Sequence, residues 1–138
     1  MRFMMMVKSG ENAGPPPNEL MDAIDKLAVQ QTQEHKLLAA GGLAPTAVSA
    51  RVRISTGKVM VIDGPFTETK EVVGGYAILE FSSKEEALQS AIEFMELHRK
   101  HWPGWEGEIE VRQIYGPGEV TFEARRMELK QNQTSGSD

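Results

Sequence analysis

Residues 72–102, VVGGYAILEFSSKEEALQSAIEFMELHRKHW, decide the fold because a strand passes almost directly into a capped helix. Side chains alternate between two faces along residues 76–81, which is the period of a half-buried strand. Ser83 and Glu86 stand three residues apart and form the pattern of a capping box, which predicts a helix start at Ser83. Apolar residues then recur at helical spacing until Pro103 and Gly104 end the helix.

The other segments complete a simple order of strands and helices. Residues 2–8 predict a first strand, and Asn18 is the expected N-cap of a first helix that runs to Gly41-Gly42. His35 lies on the apolar stripe of that predicted helix. Residues 50–63 predict a hairpin that turns at Thr56-Gly57, and a last strand is expected over residues 108–115.

This order is strand, helix, a strand region with an extra hairpin, strand, helix, strand. It predicts an α+β fold with an antiparallel sheet of the ferredoxin-like, split βαβ type. We expect one domain over residues 1–117. We also expect a polar C-terminal extension over residues 118–138, with helical turns over 123–130 and disorder from 131 onward.

The parity of the strands predicts that one sheet face is not covered by helices. Ala77 and Leu79 are expected to meet the helices, so Tyr76 and Ile78 must line the opposite face. A fully solvated face does not favour exposed isoleucines such as Ile78 and Ile114. We therefore expect a homodimer that closes through its sheets as a dimeric α/β barrel.

Composition excludes several classes of protein. The 138 residues include no cysteine, which excludes disulfides, thiolate nucleophiles and sulfur-ligated metals. A formal net charge of −5 argues against direct binding of nucleic acid. No apolar run is long enough for a membrane helix, no signal peptide is apparent, and no glycine-rich phosphate loop occurs. The expected protein is cytoplasmic, with no membrane association and no cofactor.

The segment Asp63-Gly64-Pro65-Phe66-Thr67-Glu68-Thr69-Lys70-Glu71 contains the first candidate site. Asp63 follows a strand, and its carboxylate has two interpretations: a general base or ligand anchor in a pocket, or the acceptor of an Asx-turn. A turn alone does not explain the hydroxyls and charges that follow. Thr67 and Glu68 are therefore candidate ligand-binding residues.

This segment resembles the signature of the DGPF branch of the YCII-related family. Similar segments are the methionine-rich first strand, residues 50–53, Gly74-Gly75-Tyr76, residues 83–87 and residues 107–112. The resemblance implies the fold of the dimeric α/β barrels. It also implies no settled reaction, and it allows a regulatory role, since DGPF-type proteins are often encoded near alternative sigma factors.

Three arginines are candidates for holding an anionic group: Arg51, Arg53 and Arg112. A guanidinium fork suits a carboxylate or a phosphate, especially where a dimer partly removes it from water. The alternative is cross-strand ion pairing with Glu80 and Glu110. Tyr76, on the same predicted sheet face as Glu80, is a further candidate ligand-binding residue.

Two histidines near the end of the second helix, His98 and His101, are candidate proton partners for Asp63. The alternatives are that they complement the helix dipole, or that they bind a metal together with Glu106. The Trp102-Pro103-Gly104-Trp105 segment either walls a binding groove or caps the core.

The sequence therefore favours a homodimer that binds a small anionic molecule near the Asp63 loop, with acid–base catalysis by Asp63. The alternative is a non-enzymatic regulatory or protein-binding module. An enzyme needs a concave site with converging titratable groups, whereas a binding module should present an exposed apolar patch, for which Phe122 and Met127 are candidates.

Overall fold

The computed structural model describes residues 1–116 and 129–132. Over residues 1–116 the strands and helices follow one another in the order β1, α1, β2, β3, β4, β5, α2, β6. Their bounds are β1 Arg2–Ser9, α1 Asn18–Gln33, β2 Leu37–Gly42, β3 Ala50–Ser55, β4 Lys58–Asp63, β5 Val72–Glu80, α2 Lys84–His101 and β6 Gly107–Ile114. Two short 3₁₀ turns, Glu11–Ala13 and Thr46–Val48, lie in the connections.

Four of the strands form an antiparallel sheet in the order β2, β5, β1, β6. The two central strands, β1 and β5, are far apart in sequence, and each helix crosses between strands that are not neighbours in the sheet. This is the ferredoxin-like, split βαβ arrangement. The predicted α+β fold class is confirmed.

One face of this sheet packs against α2 to form the core. Phe3 and Met5 from β1 and Leu79 from β5 are at most 4% exposed, and they pack with Phe81 and with helix residues Ala87 and Ala91. Partly buried hydrophobic residues extend the core: Leu37, Ala77, Ile109 and Val111. Ala77 and Leu79 therefore face the helix side of the sheet, as predicted.

The predicted extent of the first helix was wrong. Helix α1 ends at Gln33, and His35 adopts a left-handed conformation with φ 58°. The amide of Lys36 donates to the carbonyl of Gln31 (2.9 Å) and that of His35 to Thr32 (3.0 Å), which is a Schellman motif without its usual glycine. His35 therefore ends the helix and does not lie on an apolar stripe.

The residues after this stop form β2, the second strand of the split βαβ unit. Leu37–Gly42 pairs with β5 at the edge of the main sheet. The predicted hairpin exists over residues 50–63, with Ser55 opposite Lys58, but it forms a separate two-stranded sheet. The hairpin is thus an insertion between β2 and β5 and contributes no strand to the main sheet.

The caps of both helices differ slightly from expectation. Pro17 occupies the N-cap position of α1, one residue before the predicted Asn18, and makes no side-chain cap bond. At α2 the hydroxyl of Ser83 accepts from the amide of Glu86 as predicted (3.2 Å). The return bond is shifted, since the Glu86 carboxylate accepts from the amide of Ser82 (3.2 Å).

The sheet face opposite the α2 core mixes apolar and charged residues. Met4 lies opposite Ile78 on β5 and Arg112 on β6, so these side chains share that face. Beside them, Lys8 donates to Glu110 at 2.8 Å, and this contact lowers the pKa of Glu110. We call this surface the open sheet face.

The C-terminal extension lies mostly outside the described residues. Residues 129–132 are helical, so helix continues into residues 131 and 132, where disorder was expected. The predicted helical turns over residues 123–128 lie outside the described residues. The predicted tail patch at Phe122 and Met127 lies outside the described residues.

Candidate functional site

The loop after β4 is held close to the loop before β3. The amide of Gly64 donates to the carbonyl of Ser49 at 2.8 Å. A Cβ on Gly64 would lie 1.6 Å from the carbonyl oxygen of Thr46. Glycine is therefore required here for a close backbone approach and not for a positive φ, since the positive-φ glycines among the described residues are Gly14, Gly57 and Gly104.

A carboxylate from a third loop completes this junction. Thr46 is buried, and its hydroxyl and amide both donate to the Glu11 carboxylate at 2.6–2.7 Å. The same hydroxyl accepts from the amide of Phe66 at 3.2 Å. The bonds from Thr46 hold the pKa of Glu11 below its ordinary value. Three loops are thus connected through one threonine side chain.

Arg51, on β3 of the hairpin, binds and stabilises the loop that follows β4. Its guanidinium donates to Glu68 Oε1 and to Thr69 Oγ1, each at 2.9 Å. Its central carbon lies 3.8 Å from the centroid of the Phe66 ring, which is a cation–π contact. These contacts of Arg51 hold residues 66–69 in place as one wall of a cleft, and Phe66 is buried at the base of that wall.

The opposite wall is built at the end of α2. His98 is 5% exposed, and its Nδ1 lies 3.0 Å from the carbonyl oxygen of Phe94, so this nitrogen is the donor. Burial lowers the pKa of His98. The imidazole packs 4.7 Å from the ring of Trp105, which stacks on Trp102 at 5.7 Å. His98 therefore supports the indoles from beneath.

Between these walls lies an open cleft of about 1000 Å³. We call it the tryptophan cleft, and it includes a floor from residues 10–13. Its side-chain lining combines indole, phenyl, hydroxyl and charged groups from Glu11, Phe66, Thr67, Thr69, Lys70, Trp102, Trp105 and Glu106. Lys70 is the cation of this lining, and it has no hydrogen-bond partner among the described residues. Because Glu11 is engaged by Thr46, Glu106 is the lining carboxylate left to solvent.

The structure brings only some of the predicted site residues to this cleft. Thr67 lines it, and Arg51 and Glu68 form the brace behind Thr69. Asp63 ends β4 opposite Ala50, two residues before Pro65, which lines the cleft. Its carboxylate is exposed and, within residues 1–116 and 129–132, accepts no hydrogen bond, so the Asx-turn, one of the two interpretations of Asp63, is not formed.

The remaining predicted residues lie elsewhere. Arg53 is exposed on the hairpin, opposite Met60. Tyr76 and Arg112 lie on the open sheet face, where the Tyr76 ring covers Gly41. His101 lies at the end of α2 with Nδ1 3.9 Å from the Glu19 carboxylate. Their proposed roles in binding and catalysis stay predictions.

Metal binding by His98, His101 and Glu106 finds no support in the geometry. Within the part of the chain that the structure describes, no three histidine or carboxylate side chains cluster closely enough to hold a metal ion. The Nδ1 of His98 is already used by the carbonyl of Phe94.

Sequence reasoning missed the residues that join the cleft from distant loops. Glu11 and Thr46 are 35 residues apart, and neither residue belongs to a local motif that would predict their contact. Lys70 belongs to the segment that begins at Asp63, but the sequence pattern did not predict it as a ligand-binding residue. The two tryptophans were considered as a groove wall, and the structure has both in the cleft lining.

Comparison with known proteins identifies the family. A sequence model of the YCII-related domain matches residues 1–97. The chain belongs to the YCII-related family. An uncharacterised protein of Rhizobium meliloti (strain 1021) is 36% identical over 100 residues, which are 70% of this chain and 77% of that protein. The predicted membership of the YCII-related family is confirmed, and the DGPF branch stays a prediction.

A solved structure is also similar to this YCII-related chain. It is a 5-chloro-2-hydroxyhydroquinone dehydrochlorinase from Burkholderia phenoliruptrix AC1100, in complex with 2,5-dihydroxybenzoquinone. The identity is 20%, the TM-score is 0.36, and the match covers 87% of this chain and all of the other. Separately, no helix in residues 1–116 or 129–132 is long and apolar enough to cross a membrane.

Proposed function

We propose that this YCII-related protein binds a small anionic molecule in the tryptophan cleft. The observation that carries the proposal is the meeting of Lys70, two threonine hydroxyls and both indoles in one concavity of about 1000 Å³. Cavities of this size suit small-molecule ligands, which are held by apolar walls and a few directed polar groups.

One charge of the lining, the ammonium of Lys70, supports an anion. Lys70 has no partner within the described residues, so its ammonium is available to a ligand, whereas Arg51 is already engaged by Glu68, Thr69 and Phe66. Thr67 and Thr69 supply hydroxyls on the same wall as Lys70. Trp102 and Trp105 offer aromatic surface for the uncharged part of the ligand.

The protein contains its own reporter for this test. Both of its tryptophans line the cleft, so quenching of intrinsic fluorescence reports on occupancy of this site. Benzoate and its neutral isostere benzamide serve as probes. We expect benzoate to bind more tightly, because only the carboxylate can pair with Lys70.

Replacement of the cation tests the proposal residue by residue. We expect Lys70→Met to weaken benzoate binding about fivefold, which corresponds to about 1 kcal/mol for one solvent-exposed ion pair. The matched control is Lys58→Met, since Lys58 lies at the hairpin turn and does not line the cleft. Equal binding of both probes, or an unchanged Lys70→Met variant, would refute the anionic ligand.

We further propose that Asp63 acts as base or anchor for this ligand, and that acid–base catalysis follows from it. The support is its exposed carboxylate without a partner in the described residues, close in sequence to the cleft wall at Pro65. Asp63→Asn retains the size of the side chain and removes its charge. Unchanged binding and turnover in that variant would contradict the charged role.

We also propose a cytosolic homodimer of the DGPF type that closes through the open sheet face. Support comes from Met4, Met6 and Ile78, which are half-buried and lie together on that face. Such surfaces are typical of interfaces. Light scattering at micromolar concentration should give twice the monomer mass of 15.3 kDa, and Ile78→Arg should reduce it to the monomer mass.

A further inference from the structure

The lining of the tryptophan cleft contains charged side chains of both signs. Lys70 lies on the same wall as Thr67 and Thr69, and Glu106 follows Trp105 on the opposite wall. Both charged side chains are exposed to solvent. Within residues 1–116 and 129–132, neither of them makes a hydrogen bond or an ion pair, with each other or with a third residue. One concavity therefore contains an ammonium and a carboxylate that do not neutralise each other.

The backbone next to each of these charges is held in place. The amide of Thr69, which precedes Lys70, donates to the carbonyl three residues earlier at 3.1 Å. On the other wall, a side chain on Gly107 would overlap the ring of Trp105, so this indole lies directly against the backbone that follows Glu106. Each charged side chain thus extends from a fixed point, which reduces the ordering that a ligand must impose.

The lining as a whole favours a ligand that carries a positive group besides its negative one. Among the described residues, the cleft is lined by one cation, Lys70, and by two carboxylates, Glu11 and Glu106, which sums to a formal charge of −1. The bonds from Thr46 hold the pKa of Glu11 below its ordinary value, so this carboxylate is ionised at neutral pH. A ligand with a carboxylate alone meets one attractive charge and two repulsive ones. A cationic group on the same ligand converts the repulsion by Glu106 into attraction.

The indoles favour a cation at the same end of the cleft. Trp102 and Trp105 stack with their ring centroids 5.7 Å apart, and both line the cleft beside Glu106. Indole rings attract ammonium groups through cation–π interactions, and tryptophan does so best among the aromatic side chains. This wall therefore combines two kinds of group that bind an ammonium, a free carboxylate and aromatic surface.

We propose that the ligand of the tryptophan cleft is an aromatic zwitterion. Its carboxylate pairs with Lys70, its ammonium lies between Glu106 and the indoles, and its flat apolar body rests on the aromatic lining. Amino-substituted aromatic acids form this class. The inference rests on the proposed function, because it takes the binding of an anionic group by Lys70 as given, and it adds the second half of the recognition.

Two benzoate derivatives of nearly equal size and shape test the added ammonium. At neutral pH, 4-(aminomethyl)benzoate is a zwitterion, whereas 4-(hydroxymethyl)benzoate is a simple anion. Titrations followed by tryptophan fluorescence should give a dissociation constant about threefold to fivefold lower for the zwitterion, as expected for one solvent-exposed ion pair. Equal dissociation constants, or weaker binding of the zwitterion, would overturn the inference.

Glu106→Gln tests the partner of the ammonium, since glutamine retains the size of the side chain and removes its charge. We expect the zwitterion to lose its advantage, while the simple anion binds as before or slightly more tightly, because a repulsive charge has been removed. The matched control is Glu108→Gln. Glu108 is also exposed, but it lies opposite Lys8 on β1 and does not line the cleft, so this variant should retain the advantage.

The other outcomes for Glu106→Gln refute the inference. If the advantage of the zwitterion persists, Glu106 does not hold the ammonium. If both ligands bind more weakly by the same factor, Glu106 shapes the cleft without pairing with the ligand, which overturns the inference as well.

Lys70→Met separates the failure of this inference from the failure of the proposed function. The variant should weaken both derivatives, because each of them carries a carboxylate. If both ligands depend on Lys70 and bind equally tightly to the wild type, the zwitterion is refuted while the anion site stands. If neither ligand binds, or if Lys70→Met changes neither dissociation constant, the proposed function is refuted and the inference fails with it.

Discussion

Substitution of Thr46 by valine tests the junction that shapes the cleft. The change retains the shape and the β-branch of the side chain and removes a single hydroxyl group. That hydroxyl donates to Glu11 and accepts from the amide of Phe66 at 3.2 Å. The backbone bond from residue 46 to Glu11 remains, so the variant isolates the role of the hydroxyl.

The magnitude follows from the burial of this group. Thr46 and Phe66 are 8% and 7% exposed, so water cannot readily replace the lost acceptor of the Phe66 amide. A buried donor without an acceptor costs about 1–3 kcal/mol. At about 3–5 °C per kcal/mol for a chain of this length, a loss of about 2 kcal/mol should lower the Tm by roughly 6–10 °C.

Thermal unfolding followed by circular dichroism, with urea titration as a second measurement, provides the assay. The matched control is Thr67→Val in the same loop, because the Thr67 hydroxyl is exposed and has no hydrogen-bond partner among the described residues. The control should change stability by less than about 0.5 kcal/mol. If both variants melt within about 1 °C of the wild type, the Glu11–Thr46–Phe66 connection does not stabilise the fold.

Three other substitutions test separate features. Gly64→Ala should cost at least about 3 kcal/mol in urea unfolding, because its Cβ would lie 1.6 Å from Thr46 O, while Gly74→Ala, with nothing within 4 Å, should be tolerated at that site. His35→Gly should stabilise the protein by about 1 kcal/mol, since φ is 58°; a loss of stability would contradict this. The pKa of His98 is lowered by burial from its ordinary 6.5, so the unfolded state binds the extra proton. Stability should therefore be complete above pH 6.5 and fall as the pH decreases toward the folded-state pKa. His98→Gln should flatten that slope, and an equal slope in both proteins would contradict the assignment.

Local signals were sufficient for most of the fold. The capping box at Ser83 and the alternation along residues 76–81 correctly predicted α2 and β5, because both patterns depend on side chains that are near in sequence. The second strand was missed for a physical reason. Leu37-Leu38-Ala39-Ala40 consists of good helix formers, and its strand conformation arises from pairing with β5.

The helix stop before that strand was also not apparent from sequence. A Schellman motif usually has glycine at its left-handed position, whereas here His35 occupies that position. Gly41-Gly42 therefore looked like the end of the helix, although both residues belong to β2.

The candidate site could be predicted in part. The segment around Thr67 and the two tryptophans were recognised as candidate binding residues, since hydroxyls, charges and aromatic rings are concentrated there. The position of the cleft could not be predicted, because it depends on contacts between loops that are distant in sequence, such as Glu11 with Thr46 and Arg51 with Glu68. The hydrophobic periodicity of a sequence does not indicate such contacts.

The strand order has a consequence for the sequence of events during folding. Strand β1 leaves the ribosome well before its partners β5 and β6, which begin at Val72 and Gly107. Within the first 70 residues the hairpin at 50–63 is the strand pairing available. The methionine-rich strand must therefore remain unpaired at least until β5 has been synthesised, and its second partner follows later still, which makes the fold one of high contact order that forms late and slowly.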